Sequence, residues 1–449
     1  MPTAAGVRPG VDEATTRRLV ARHILQRLGE GGQPPEYDVS RINVGNESYL
    51  KVLDYEYFQT LLRIGASFKL VQGYFGGGKT HFLYCVRELA WKHGFCVAVV
   101  ELSPAECPYD DSFKVYRAVA SRLSLRPTNP LVPPETGIGD VVRSRVESEL
   151  AGALESLGAA ADPEAESRAR AEVAGWLEHT VGRAPCESHS FRQAIVGLGL
   201  AWLRGDTLTE RRLEAWLSGE QVPPGELRDA GVYEQLGKAN GFTMLRCISQ
   251  MAVALGLAGT ALLFDEVDRN LSVSAKRSHA IGDNLRQVID LCGRHQLPNT
   301  LFVYAVPPEF LRNVVPDYPA LQQRLKSPMP MSVRSPQAVL IDLEKLDIDA
   351  VDLLDRIGQK VLDVFVEARE CPMDVPLQHR NARQLAQVCV DAMFEVNHRR
   401  LFVKTWVDFL HGQMIDGESA LTEADARRLV AGGQEAVKAV SPADGFDDF

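Results

Sequence analysis

Phe68-Lys69-Leu70-Val71-Gln72-Gly73-Tyr74-Phe75-Gly76-Gly77-Gly78-Lys79-Thr80 is the stretch that decides the fold. Its first four residues form a short apolar run of the kind that makes a buried strand, and the glycines after it break the run. Thr80–His93 reads as a helix and Phe95–Leu102 as a second buried strand. Strand, glycine-rich loop, helix and strand in that order make an α/β nucleotide-binding unit.

Residues Gly73–Thr80 fit the pattern GxxxxGK[ST]. Gly73, Gly76, Gly77 and Gly78 let backbone N–H groups turn inward around phosphate oxygens. The helix that starts near Lys79 offers its N-terminal donors and positive dipole end to the same anion. Lys79 is placed to reach the β- and γ-phosphates, and the Thr80 hydroxyl to ligate Mg²⁺. The rival reading, a glycine-rich turn that happens to precede Lys-Thr, is disfavoured by the strand before and the helix after. The expected cofactors are ATP and Mg²⁺.

Farther along, Leu262-Leu263-Phe264-Asp265-Glu266 is an apolar strand ending in two carboxylates. Asp265 is expected to organise Mg²⁺, and Glu266 to polarise an attacking water. The plainer alternative is an amphipathic strand with an acidic turn. Adjacent Asp and Glu favour an ATP hydrolase over a small-molecule kinase, and no Asn-Lys-x-Asp points to a guanine-specific GTPase. Lys79 and Asp265 lie 186 positions apart, from 79 to 265. That is too long for a structureless loop, so the Ala-, Glu- and Arg-rich stretch between them is expected to be a helical insertion.

The boundaries expected from these patterns are 1–40, an N-terminal helix and linker; 41–111, the first part of the core; and 112–258, the helical insertion. Next come 259–345, the second part of the core, 346–413, a helical lid, and 414–449, a flexible acidic tail. Further strand signals fall at Leu301–Val306 and Ala338–Leu343. The fold class expected is α/β, with a parallel sheet, a large insertion and a C-terminal helical lid.

Composition excludes several alternatives. The 449 residues are 45% hydrophobic and 24% charged, with a formal net charge of −10. A protein that coats nucleic acid through charge alone is usually basic, so any DNA contact must be local. No apolar run approaches a membrane span, and the N-terminus lacks a signal-peptide core. Eight scattered cysteines form no CxxC pair, which argues against zinc and disulfide frameworks and for a reducing cytoplasm. The histidines show no HxxxH or HExxH spacing, so no catalytic metal beyond Mg²⁺ is expected.

Hydrolysis of a triphosphate develops charge that an arginine neutralises. Arg324, between two predicted core strands, and Arg383, opening a helix of the lid, are the candidates; Arg269 is a weaker third. Each has the plainer reading of a surface ion pair. Arg17, Arg18, Arg22 and Arg27 on the first helix, and His379, Arg380, His398, Arg399 and Arg400 in the lid, are basic groups. They are read as solvated faces in preference to a DNA-phosphate patch, because the chain is acidic overall.

Taken together, these motifs resemble an AAA+ ATPase of the origin-recognition type. Val44-Gly45-Asn46-Glu47 resembles the loop that lies near the adenine in that class. Gly73–Thr80 and Leu262–Glu266 resemble its Walker A and Walker B motifs, Arg324 its arginine finger, acting in trans in a homo-oligomer, and Arg383 its sensor-2 arginine. A closer resemblance, spanning about 17–410, is to the ATP-binding proteins of BREX phage-defence systems (BrxD type). It rests on Gly73–Leu83, Val100-Glu101-Leu102-Ser103-Pro104, Trp202-Leu203-Arg204-Gly205 and Leu263–Asp268. The resemblance implies other defence-system proteins as partners, helicase-like or ATPase components, acting on DNA away from any membrane. One departure stands out: Ala305 and Val306 occupy the strand end where the family has a polar sensor. Three functions follow as expectations: a hydrolysing AAA+ motor or loader, a nucleotide-dependent switch or scaffold with little turnover, and a DNA-binding module with an accessory ATPase.

Overall fold

Seven-residue apolar strands organise the molecule. The computed structural model describes residues 12–103, 107–158, 163–265, 275–293, 297–311, 319–325, 329–392 and 398–440. After α1 (Glu13–Gly29) and the short α2 (Glu47–Val52) the chain enters β1 (Ala66–Gln72), α3 (Lys79–Lys92) and β2 (Phe95–Glu101). Next come α4 (Ser112–Arg122), a two-residue β3 (Leu123–Ser124), α5 (Ile138–Ser156), α6 (Pro163–His179), α7 (His189–Arg204), α8 (Thr207–Leu217) and α9 (Gly241–Ala254). The sheet resumes with β4 (Gly259–Asp265), α10 (Ala275–Gly293), β5 (Thr300–Val306), α11 (Pro319–Leu325) and β6 (Leu340–Asp342). Four helices follow: α12 (Ala350–Arg369), α13 (Val375–Asp391), α14 (His398–Asp416) and α15 (Glu423–Val440).

The described strands form one sheet in the order β3-β2-β4-β5-β1-β6. All neighbours are parallel except β3, which runs antiparallel to β2. Every residue of β4 and β5 is buried, which is why both read as continuous apolar runs. Their side chains still divide by parity. Val71, Val97, Leu263, Val303 and Ile341 face α3 and the helical turns before β1. Phe68, Leu70, Ala98, Val100, Leu262, Phe264 and Phe302 face the other way. The pairing also fixes the edge where a ligand of such a sheet binds: Gln72 lies opposite Val306 and Asp342, and Glu101 opposite Asp265.

The helical insertion expected over 112–258 carries α4–α9 and a two-residue strand. Its β3 extends the sheet, and Val115, Val142, Leu198 and Met244 share one apolar cluster with Leu262 and Phe264. A parallel sheet needs both faces covered, and this segment covers one of them.

The flexible acidic tail expected over 414–449 is corrected through residue 440. The helix α14 runs to Asp416, and α15 then packs against α13 and α14 with Ala426 and Val430 buried. Its start is a reciprocal cap: Asp425 N–H donates to Thr422 Oγ1 at 3.2 Å, and the Thr422 hydroxyl donates to Asp425 Oδ2 at 2.5 Å. Acidic composition hid an amphipathic stripe. The N-terminal helix also joins this cluster, Ile24, Leu25 and Leu28 packing with Leu354, Val361 and Trp406. Arg18 Nη1 meets Glu370 at 2.6 Å, and Arg22 Nε donates to Ala368 O at 3.0 Å, so those basic residues dock α1 on the lid.

Lys69 is buried in β1. Its Nζ donates to Ala338 O at 2.6 Å and also meets the Tyr57 hydroxyl, tying β1 to the turn before β6. Burial pulls its pKa down to about 7, while an unfolded lysine keeps its proton to about pH 10. Between those limits the unfolded chain holds the extra proton, so this group makes stability rise with pH. Urea midpoints should therefore climb across that window in the wild type relative to Lys69→Met; parallel profiles would contradict it.

Candidate functional site

The loop Gly73–Thr80 leaves β1 at the C-terminal edge of the sheet and ends in α3. Gly76 and Gly78 have φ of +72° and +88°, which L side chains adopt poorly. Gly77 N–H donates to Tyr74 O at 3.0 Å, closing a turn within the loop. A Cβ on Gly77 would lie 2.7 Å from Glu344 Oε1 and 3.0 Å from Tyr74 O. Lys79 Nζ donates to Gly73 O at 2.8 Å and Tyr74 O at 3.0 Å. The ammonium is therefore folded over its own loop, next to the N-terminal turn of α3.

Thr80 and Asp265, remote in sequence, meet at this edge: the Thr80 hydroxyl donates to Asp265 Oδ2 at 2.6 Å. Asp265 is buried at the end of β4. A hydroxyl and a carboxylate oxygen side by side are hard donors that fit a Mg²⁺ ion. Glu266 and Arg269 lie outside the described residues. Arg324 falls on α11, and its side chain also lies outside them. At the end of β5, Ala305 and Val306 are fully buried and offer no side-chain polar atom.

The lid reaches the loop through a residue that the sequence reading had assigned to a solvated face. Arg399, at the start of α14, donates from Nη1 to Gly77 O and from Nη2 to Leu343 O at 2.9 Å. Burial lowers its pKa, and the neighbouring Glu344 opposes that shift. Glu344 Oε1 accepts the Tyr74 N–H at 2.9 Å. Arg383, the expected lid arginine, instead pairs with Asp352 at 3.0 Å and Asp355 at 3.2 Å, its side chain 60% exposed. Position on a helix could not separate the two arginines; the turn of α14 toward the loop does. Arg400 is not solvated either, since its Nε donates to Gly31 O at 2.5 Å.

Val44 and Gly45 close another side. Val44 packs on the lid cluster. A Cβ on Gly45, where φ is +90°, would come within 2.9 Å of Leu353. Next to them, Lys360 Nζ donates to Asn43 O at 2.6 Å. His81, directly after Thr80, contacts Asn43 Oδ1 at 3.2 Å. Burial first, then Arg399 and Lys360, push the imidazole pKa down to about 4, so the ring is neutral near pH 7. Asn46 is buried, and its Oδ1 has no hydrogen-bond partner among the described residues. The structure thus gathers Val44, Gly45, Gly73–Thr80 and Asp265 with Asn43, His81, Glu344, Lys360 and Arg399. The last five carry no motif of their own; the signal for Glu344 was only its place at the end of an apolar strand.

A family model described as BREX system ATP-binding protein BrxC/D matches residues 16–423 of the chain. No curated protein and no solved structure matches it.

The two lid arginines differ enough to be told apart by stability. Arg399→Ala leaves two carbonyls without their donor and should lower the unfolding free energy by about 1–3 kcal/mol. Arg383→Ala removes a guanidinium that is 60% exposed and pairs with the exposed Asp352 and the buried Asp355, and it should lower the urea midpoint by less. Equal effects in denaturant titrations would refute this assignment of contacts.

Proposed function

We propose that this chain, which belongs to the BREX system ATP-binding protein BrxC/D family, is an AAA+ ATPase that binds MgATP at Gly73–Thr80 and hydrolyses it within a multi-component phage-defence assembly on DNA. The observation that carries the reading is the meeting of Thr80 with Asp265 at the mouth of the glycine-rich loop. A threonine after the glycine-rich loop and a strand-end aspartate that meet at 2.6 Å across 185 positions support a role for the pair as protein ligands of a nucleotide-bound Mg²⁺. Mg²⁺ there would neutralise charge on the β- and γ-phosphates.

The chain's own groups take the following roles. Backbone N–H groups of Gly76–Thr80 and the N-terminus of α3 bind phosphate oxygens. Lys79 swings from Gly73 O and Tyr74 O onto the β- and γ-phosphates. Glu266, next to Asp265 in sequence, orients and deprotonates water. Val44 and Gly45 lie against the base. Arg399, which sits at the loop, takes the lid role expected of Arg383. Arg324 acts across a subunit boundary in a homo-oligomer. Other proteins of the system are the partners. No described helix is long and apolar enough to cross a membrane.

A second reading, a nucleotide-dependent switch with little turnover, is favoured by one feature. Buried Ala305 and Val306 stand where a polar side chain would touch the γ-phosphate.

Steady-state hydrolysis with and without DNA separates the readings. Lys79→Ala should lose nucleotide binding. Glu266→Gln should keep binding while turnover falls about 100-fold or more, as for loss of a general base. Unchanged hydrolysis in Glu266→Gln would remove that residue from the role of base. DNA-stimulated turnover in the wild type would sink the switch. ATP-dependent assembly seen on sizing, lost in Arg324→Ala, would support the trans arginine.

A further inference from the structure

We infer that Glu344 and Arg399 are positioning residues that clasp the P-loop turn at its two ends, so that filling the loop with a triphosphate and repositioning α14 are one coupled event. The inference rests on the MgATP reading of the loop and names how that site is regulated.

The turn Tyr74–Gly77 is closed by its own Gly77 N–H to Tyr74 O bond. Its remaining exposed backbone groups at those same residues are held from outside. Glu344 Oε1 accepts the N–H of Tyr74, and Arg399 Nη1 donates to the carbonyl of Gly77. The other guanidinium arm donates to Leu343 O, one residue before Glu344. A carboxylate and a guanidinium thus grip opposite ends of one turn and meet again in the segment after β6.

The glycines fit this arrangement. The pattern GxxxxGK[ST] asks for glycine at 73 and 78, not at 77. Yet a Cβ on Gly77 would lie 2.7 Å from Glu344 Oε1. A Cβ on Gly78 would lie 3.3 Å from Arg399 Nη1. A Cβ on Gly77 would also lie 3.0 Å from Tyr74 O and 3.2 Å from Tyr74 N, so the tight turn and the clasp together leave no room for a side chain there.

Arg399 does not move alone. It begins α14, whose Leu401, Phe402 and Trp406 are buried among α1, α12, α13 and α15. A phosphate that binds the inner N–H groups and draws Lys79 from Gly73 O and Tyr74 O favours one turn shape over another. Because Arg399 binds that turn's carbonyl, the two turn shapes carry different energies for the lid. Such a difference is what coupling between two sites requires. Glu344 is exposed and bonds the loop with one oxygen, so replacing it tests the link without emptying the core.

The test uses the full chain and the β,γ-imido analogue of ATP with Mg²⁺. Affinity is read by calorimetry and lid response by amide exchange in residues 398–416. Glu344→Gln keeps an acceptor for Tyr74 N–H and should bind within about 2-fold of wild type. Glu344→Ala should bind about 3- to 10-fold more weakly, the size of one ordinary hydrogen bond, and should lose the analogue-induced change in exchange over α14. Arg399→Lys cannot fork to two carbonyls and should behave like Glu344→Ala, and the double variant should be no worse than the weaker single. Wild-type affinity with wild-type exchange in Glu344→Ala would overturn the clasp, as would equal behaviour of the Gln and Ala variants. Failure of the wild type itself to bind the analogue would instead overturn the MgATP reading. Thermal midpoints without nucleotide check that each variant is folded.

Discussion

The Thr80–Asp265 hydrogen bond is the constraint on which the rest of the site depends. Its two residues come from the helix after β1 and the end of β4, and β5 lies between those strands. The bond forms only if β1, β5 and β4 keep their register, over seven pairs between β1 and β5 and five between β4 and β5. They do: Ala66 pairs with Thr300 and Gln72 with Val306, while Thr260 pairs with the same Thr300. A slip of one residue would turn Leu263 and Val303 to the opposite face and carry Asp265 away from Thr80. Burial of both faces of β4 and β5 makes such a slip costly. The same apolar runs that drive folding thereby set the geometry of the polar edge.

The long excursion between the two halves of the motif pair serves that register. A parallel strand cannot be joined to its neighbour by a hairpin, so the chain must leave the sheet and return. Here the return takes α4 to α9, and these helices bury the face formed by Ala98, Val100, Leu262 and Phe264. The segment is sequence-distant but energetically part of the sheet. The lid has its own cluster, built from α1 and α12–α15, with Ile42 and Val44 packed into it, and it reaches the loop through polar links: Arg399 to Gly77 and Leu343, and Lys360 to Asn43. Two apolar clusters that meet at such a seam can shift relative to one another at lower cost than either can deform.

What was legible in the sequence follows from that division. Buried parallel strands announce themselves as apolar runs, and the glycines of the loop are demanded by backbone geometry, so β1, α3, β2, β4 and β5 were readable with their ends shifted by a residue or two. Thr422-Glu423-Ala424-Asp425 was readable too, as a capping box; acidic composition was given too much weight beside it. Arg383 and Arg399 were not separable, because each lies in a helix with basic neighbours and only the packing of α13 and α14 decides which one turns to the loop. Glu344 and His81 were hidden for the same reason. Each acts through a backbone or side-chain contact made by a distant element, and no periodicity encodes it.

The charge balance around the loop gives these hidden residues a common logic. Among the described residues, neither Arg399 nor Lys360 forms an ion pair; both are held by backbone carbonyl oxygens. Carbonyl dipoles satisfy their N–H groups without cancelling their charge, and burial makes uncancelled charge expensive. His81 adds no third charge, because burial first and then the two cations push its pKa down to about 4. Glu344, which accepts the Tyr74 N–H, offsets part of the charge on Arg399. The loop is thus bordered by cations that are held by carbonyl oxygens and only partly compensated by a carboxylate. A polyanion entering the loop supplies the missing counter-charge. That compensation favours a triphosphate over a neutral ligand before any contact with the base is made.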